Sequence, residues 1–144
     1  MIRKFVAAII LSIGAGAVVA QDSTVYDYDG SFDDATFAIE NEIIGAGLVI
    51  DYVAHSGEML ARTGPDLGSD VVLFESADVF LFCSAVLSRK VMESDPANIV
   101  YCPYGIYVAD RAGQVTIGYR NFPPGEMQEV QALLDGIARA AADQ

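Results

Sequence analysis

Strand-like and helix-like segments alternate along the chain from Ser23 onward, and this alternation restricts the folds open to it. Residues 23–28 alternate aromatic or β-branched residues with polar ones, as a half-buried strand does. Apolar residues then recur at spacings of three and four over residues 32–46, which predicts an amphipathic helix. Ser31 is its predicted N-cap, and Gly47 is the glycine expected after its last turn.

The rest of the chain continues the same alternation. Residues 48–54 and 78–83 predict two strands, and the second is apolar enough to be expected at the centre of a sheet with neither face exposed. Short helices are predicted over residues 56–62 and 84–93. Two strand-like runs flank Arg111-Ala112-Gly113, which is a hairpin signal. The predicted terminal helix has apolar residues at spacings of three and four: Met127, Val130, Leu134, Ile137 and Ala141.

The predicted order of elements is β-α-β-α-β-α-β-β-α. Strands mixed with helices in one small domain favour the α+β class. We therefore expect a two-layer sandwich, in which helices pack on a β-sheet.

The first twenty residues have the pattern of a secretory signal peptide. Arg3 and Lys4 form a positive start, residues 5–19 are apolar and uncharged, and Ala20 is a small residue at the expected cleavage position. The apolar run of about 15 residues is shorter than the roughly 20 that a membrane-spanning helix needs. We therefore expect cleavage after Ala20, a periplasmic location with no membrane span after cleavage, and one domain over residues 21–144.

The chain is strongly acidic, with 20 acidic and 8 basic residues and a net charge of −12. Without Arg3 and Lys4, 6 basic residues remain against the same 20 acidic ones, and the net charge becomes −14. Such a surface repels nucleic acid, so no nucleic-acid partner is expected. It would suit a basic periplasmic redox partner, although solubility alone also accounts for it.

Few residues of the chain can carry chemistry. His55 is the only histidine, which excludes sites that need two imidazoles from one chain. No nucleophile elbow and no phosphate-binding glycine loop occurs, so we predict no catalytic residues and lean against an enzyme. His55 and Met59 lie four residues apart and share a face if that turn is helical. Imidazole and thioether suit copper or haem iron, which are the only cofactors this sequence suggests.

Cys83 and Cys102 are the only cysteines. Export makes a disulfide the default, and the helix between them can return the chain to the same edge of the sheet. Closing a loop of about 20 residues would stabilise the fold by roughly 3 kcal/mol. Cys83 also precedes a predicted helix start, where the dipole favours a thiolate. A redox or sulfur-carrier pair therefore stays open beside the structural disulfide, as do metal ligation and free thiols.

Two stretches of the sequence resemble the domain of unknown function 302 family. They are SFDDATFAIENEIIGAGL (residues 31–48) and ADVFLFCSAVLSRKVMESDPANIVYCPYGIYVADRAG (residues 77–113). The resemblance spans about residues 24–122 and implies a β-α-β4-α fold similar to the TATA-box-binding-protein-like group. It also implies frequent dimers, sometimes by exchange of an element, and it provides no catalytic residues. Members are exported or fused to cytochrome c domains, which implies periplasmic redox or sulfur metabolism.

The sequence departs from the family pattern at its cysteines. Cys83 stands where a glycine is common after the strand, and Cys102 precedes Pro103. We predict an exported, non-catalytic binding or accessory domain that forms a homodimer and is stabilised by a Cys83–Cys102 disulfide. The alternatives are a thiol redox or sulfur-carrier protein that uses both cysteines, and a haem- or copper-binding protein that uses His55 and Met59.

Overall fold

The computed structural model describes residues 22–144, so the predicted signal peptide and its cleavage site lie outside the described residues. Within them, five strands and four α-helices follow one another in the predicted order. The strands are β1 (Ser23–Tyr28), β2 (Val49–Ala54), β3 (Ser76–Cys83), β4 (Tyr104–Arg111) and β5 (Gln114–Arg120). The helices are α1 (Phe32–Gly45), α2 (Ser56–Thr63), α3 (Ala85–Ser94) and α4 (Met127–Ala142).

The strands form one sheet in the order β1-β5-β4-β3-β2, and every neighbouring pair is antiparallel. The predicted hairpin is confirmed, because β4 and β5 are joined by a tight turn at Ala112 and Gly113. Both turn residues have positive φ, 55° and 85°, as a two-residue hairpin turn requires. Strands β1 and β2 form the two edges of the sheet.

Helices α1, α3 and α4 pack on one face of the sheet and enclose the core. All five apolar residues predicted for the terminal helix are buried there. They meet strand residues such as Phe82, Ile106 and Ile117, each of them fully buried. Full burial of a large apolar side chain stabilises a fold by about 1.5–3 kcal/mol, so this layer provides most of the driving force.

The boundaries of α1 follow the predicted signals. The Ser31 hydroxyl oxygen accepts a hydrogen bond from the Asp34 amide at 3.1 Å, which is the expected N-cap bond. Gly47 has a φ of 76°, so it provides the left-handed residue expected just beyond the helix.

The apolar strand β3 is interior, as expected: it is bonded to both β2 and β4, and none of its residues is exposed. The middle strand of the sheet is β4. Phe80 and Phe82 are buried against the helices, whereas Val79 and Leu81 point to the opposite face and are half-buried. The sheet is therefore packed on one side, and we call its other surface the open face.

The two-layer α+β architecture is confirmed, and the implied β-α-β4-α order holds with α2 and α3 inserted between successive strands. Helix α2 lies close to the start of β3: a Cβ on Gly57 would be 2.5 Å from the Ala77 amide nitrogen. Only glycine permits this approach. None of the helices described over residues 22–144 has the length and apolar character needed to cross a bilayer.

Candidate functional site

Cys83 and Cys102 form a disulfide, as predicted. Their Cα atoms are 6.6 Å apart, within the range of ordinary disulfides. Cys83 ends β3, and a 3-10 segment (Pro96–Tyr101) returns the chain from α3 so that Cys102 stands just before β4. The disulfide therefore joins the two ends of the β3–β4 connection, which contains α3.

The disulfide lies at the beginning of α3. Ser84 is the N-cap of that helix, and its hydroxyl oxygen accepts a hydrogen bond from the Leu87 amide at 3.3 Å. Cys83 thus directly precedes the N-terminus of a helix, as the sequence predicted. Both cysteines are half-buried, so the sulfur atoms are neither fully enclosed nor freely exposed.

His55 and Met59 lie one turn apart at the beginning of α2, where the Met59 amide donates to the His55 carbonyl oxygen at 3.2 Å. The His55 Nδ1 atom pairs with a carboxylate oxygen of Asp78 at 2.8 Å, which leaves Nε2 as the ring atom able to bind a metal. Across residues 22–144, no three His, Cys, Asp or Glu side chains are grouped to hold a metal ion. Copper or haem ligation by His55 and Met59 stays a prediction.

The bond to Asp78 raises the pKa of His55 above its usual 6.5, since it stabilises the imidazolium. With a native pKa above the unfolded value, the pair stabilises the fold below pH about 6.5. That contribution is lost as the pH rises through the native pKa.

In an NMR titration of protein without a histidine tag, the imidazole of His55 should titrate with a pKa above 6.5. Asp78→Asn should lower that pKa, and Glu58→Gln, the control at a more weakly coupled carboxylate, should change it less. An unchanged pKa in Asp78→Asn would contradict the assignment.

The open face carries rows of residues that run across the strands. In one row Ala77 of β3 lies opposite Ala109 of β4, and Ala109 lies opposite Thr116 of β5. In the adjacent row, Val79 lies opposite Tyr107, and Tyr107 lies opposite Gly118. The first row has only short side chains, so it forms a depression beside the taller second row.

This depression is the floor of a cleft of about 560 Å³. Val79 and Tyr107 line one side, and Ser56 of α2 and Phe74 of the segment before β3 also line it. Small-molecule sites typically occupy 300–1,000 Å³ and combine apolar walls with a few polar groups. We call this feature the open-face cleft. Its volume and lining fit a small organic ligand.

Tyr107 separates the open-face cleft from a second depression of about 280 Å³. Its ring lies over Gly118, where a Cβ would be 2.5 Å from the phenol oxygen, so the missing side chain creates the space for the ring. Burial raises the pKa of Tyr107, because an apolar environment disfavours the charged phenolate. Gly105 and Arg120 line the smaller depression, which continues the same face.

A second polar cluster lies on the helix side, between β1, β5 and α4. The Asp135 carboxylate accepts hydrogen bonds from the Tyr26 hydroxyl at 2.5 Å and the Tyr119 hydroxyl at 2.7 Å, and from Arg139 at 3.0 Å. The bonds from Tyr26, then Tyr119, lower the pKa of Asp135. Burial raises the pKa of Tyr119 to about 12. Tyr26, Tyr119 and Arg139 all donate to the same carboxylate of α4, which indicates that the cluster holds this helix against the sheet.

Sequence reasoning missed the cleft, the His55–Asp78 pair and the Asp135 cluster. A signal for the cleft was present, because the outward positions of β4 and β5 include Gly105, Ala109, Thr116 and Gly118 among polar and apolar neighbours. Small residues at alternate positions mark a sheet surface that another group approaches closely.

The sheet, its helical layer and the cleft define a compact α+β domain with one packed and one open sheet face. The sequence profile described as "Domain of unknown function DUF302" matches residues 23–143. The chain therefore belongs to this family, as the resemblance predicted.

A solved structure supports the fold. The crystal structure of an uncharacterized conserved DUF302 protein from Bacillus stearothermophilus is similar, with a TM-score of 0.60 at 17% sequence identity. The match covers 86% of this chain and 90% of that chain. A search of curated proteins finds no match.

Proposed function

We propose that this protein is an exported, non-catalytic binding domain of the periplasm, in which the open-face cleft takes a small ligand and the disulfide holds the domain together. The observation that carries the proposal is the cleft of about 560 Å³ over the Ala77–Ala109 row. The two alanines form its floor, and Phe74, Val79 and Tyr107 provide apolar walls.

The periplasmic location is supported by two features of the chain. Residues 3–20 have the composition of a signal peptide, and a disulfide between the only two cysteines suits an oxidising compartment. Cell fractionation and mass spectrometry test it: the mature chain should begin at Gln21 in the periplasmic fraction. A full-length chain in the cytoplasm would contradict the location and leave the cleft unaffected.

Ligand binding is tested with N-phenyl-1-naphthylamine, a neutral dye that fluoresces in apolar sites. We expect saturable binding of one dye per chain. Ala109→Phe should abolish it by filling the floor of the cleft, and Ala109→Val should weaken it. Ala140→Phe, the same change on the exposed surface of α4, should leave binding intact. Equal binding by wild type and Ala109→Phe would refute the cleft as the site, provided that the circular dichroism of the variants matches wild type.

We further propose that the protein forms a homodimer through the edge of the sheet at β2. Edge strands offer unpaired backbone groups, and this one exposes Val49 and Tyr52, at 73% and 64%. Val71 and Val72, in the segment after α2, are exposed to a similar extent. Light scattering should give twice the chain mass. Tyr52→Lys should give a monomer, whereas Ile44→Lys on α1 should not. A monomeric wild type would refute the dimer.

A thiol redox protein that works with a basic periplasmic partner remains the second candidate. It is favoured by the position of Cys83, which is half-buried and directly precedes the N-cap of α3. Equilibration with glutathione buffers decides between the two roles. A reduction potential below about −300 mV marks a structural bond and counts against this candidate, and a potential near −200 mV supports it.

A further inference from the structure

We propose that the ligand of the open-face cleft is a small organic anion: a flat or branched apolar body with a carboxylate or similar acidic group held by Arg111. This inference rests on the proposed binding function and specifies the chemical class of the ligand. Arg111 ends β4 and lines the cleft at the end of the sheet near the β4–β5 turn.

Arg111 forms no ion pair with a carboxylate of the residues 22–144. Within residues 22–144, ion pairs engage Arg89, Lys90 and Arg139 with carboxylates, whereas Arg62, Arg111 and Arg120 have no such pair. Of these three, Arg111 is the one that lines the open-face cleft. An exposed guanidinium beside an apolar cleft provides two parallel donors for a carboxylate, which is the geometry that Arg recognises best.

The one carboxylate among the residues that line the cleft already has an ion-pair partner. Asp78 is the one carboxylate among the cleft-lining side chains, and it pairs with His55 at 2.8 Å. Asp27 lies in the next strand, opposite Thr116, and accepts a hydrogen bond from the Gln114 amide at 3.2 Å. Among the residues that line the cleft, Arg111 is therefore the charged one without an ion-pair partner. A cationic ligand would meet Arg111 and find no unpaired carboxylate among those lining residues.

The open-face cleft is polar at one end and apolar at the other. Arg111 lies opposite Gln114 in the ladder, so one end of the cleft has a cation and an amide side by side. The opposite side consists of Val79 and Tyr107, and the floor between them is the short Ala77–Ala109 row. A ligand with an acidic group at one end and an apolar body at the other matches this gradient.

The test compares 2-naphthoate with 2-naphthamide, which has the same shape without the charge. We expect the wild-type protein to bind naphthoate about tenfold more tightly, as a charge-assisted pair at a partly solvated site would provide. Fluorescence anisotropy of the naphthalene measures both affinities. Arg111→Gln should remove the preference and leave naphthamide binding unchanged. Arg62→Gln removes the same charge from α2, outside the cleft, and should keep the preference.

Each outcome decides the inference. A preference for naphthoate that Arg111→Gln abolishes supports it. Equal affinities, a preference that survives Arg111→Gln, or no binding of either probe overturns it. Binding of N-phenyl-1-naphthylamine distinguishes failure of the anionic ligand class from failure of the proposed binding function. If that neutral dye still binds and Ala109→Phe abolishes its binding, the cleft is a binding site and only the anionic class is wrong. If the dye fails as well, the proposed function fails with it.

Discussion

Replacing Cys83 and Cys102 together by alanine is expected to lower the free energy of unfolding by about 3 kcal/mol. The bond closes a loop between residues 19 apart in sequence, so it removes many conformations from the unfolded chain. Urea denaturation of the oxidised wild type and the double variant measures the difference.

Reduced wild type is the internal control for this experiment. It should match the double variant within about 1 kcal/mol, because both lack the bond and differ only in two half-buried atoms. An oxidised wild type no more stable than either form would contradict a structural role and leave the redox role as the better account of the pair.

Asp135→Asn is expected to lower the free energy of unfolding by about 2 kcal/mol at pH 7, since hydrogen bonds to a charged group contribute more than neutral ones. The Asp135 side chain is 30% exposed, which reduces the effect below that of a fully buried carboxylate. The change leaves the buried Tyr119 hydroxyl with a weaker acceptor. Asp29→Asn, at an exposed position in the turn after β1, is the matched control and should change stability little.

The stabilisation by Asp135 should depend on pH. The pKa of Asp135 lies below its usual 3.8 because Tyr26 and Tyr119 donate to the charged form. A depressed native pKa stabilises the fold above the unfolded pKa, and the benefit is lost as the pH falls through the native value. The difference in unfolding free energy between wild type and Asp135→Asn should therefore be largest at pH 6–7 and become smaller below about pH 4. A gap that is constant from pH 7 to pH 3 would contradict the role of the charge.

Local sequence pattern determined much of the fold. Every α-helix and strand was predicted in its order, and all five apolar positions of α4 are buried. The cap at Ser31 and the turn at Ala112 and Gly113 follow from short-range chemistry that the sequence displays directly. The disulfide was the favoured reading of the two cysteines, because the predicted helix between them returns the chain from the end of β3 to the start of β4.

The site was harder to predict because its contacts join distant parts of the chain. Asp135 meets Tyr26 across 109 positions and Tyr119 across 16, so only the docking of α4 on the sheet brings them together. The cleft depends on cross-strand pairs such as Ala77 with Ala109, and those pairs depend on sheet order and register. The sequence predicted that neither face of β3 is exposed, but an apolar run does not show which face packs against helices and which lines a cleft.

The most direct test of the account is amide chemical-shift mapping of the isotope-labelled protein during titration with 2-naphthoate. We expect the largest chemical-shift changes on the open face, at Ala77, Ala109 and Thr116, together with Arg111. Shifts centred on the Asp135 cluster, between β1, β5 and α4, or no saturable shifts on the open face, would contradict the claim that the open-face cleft is the binding site.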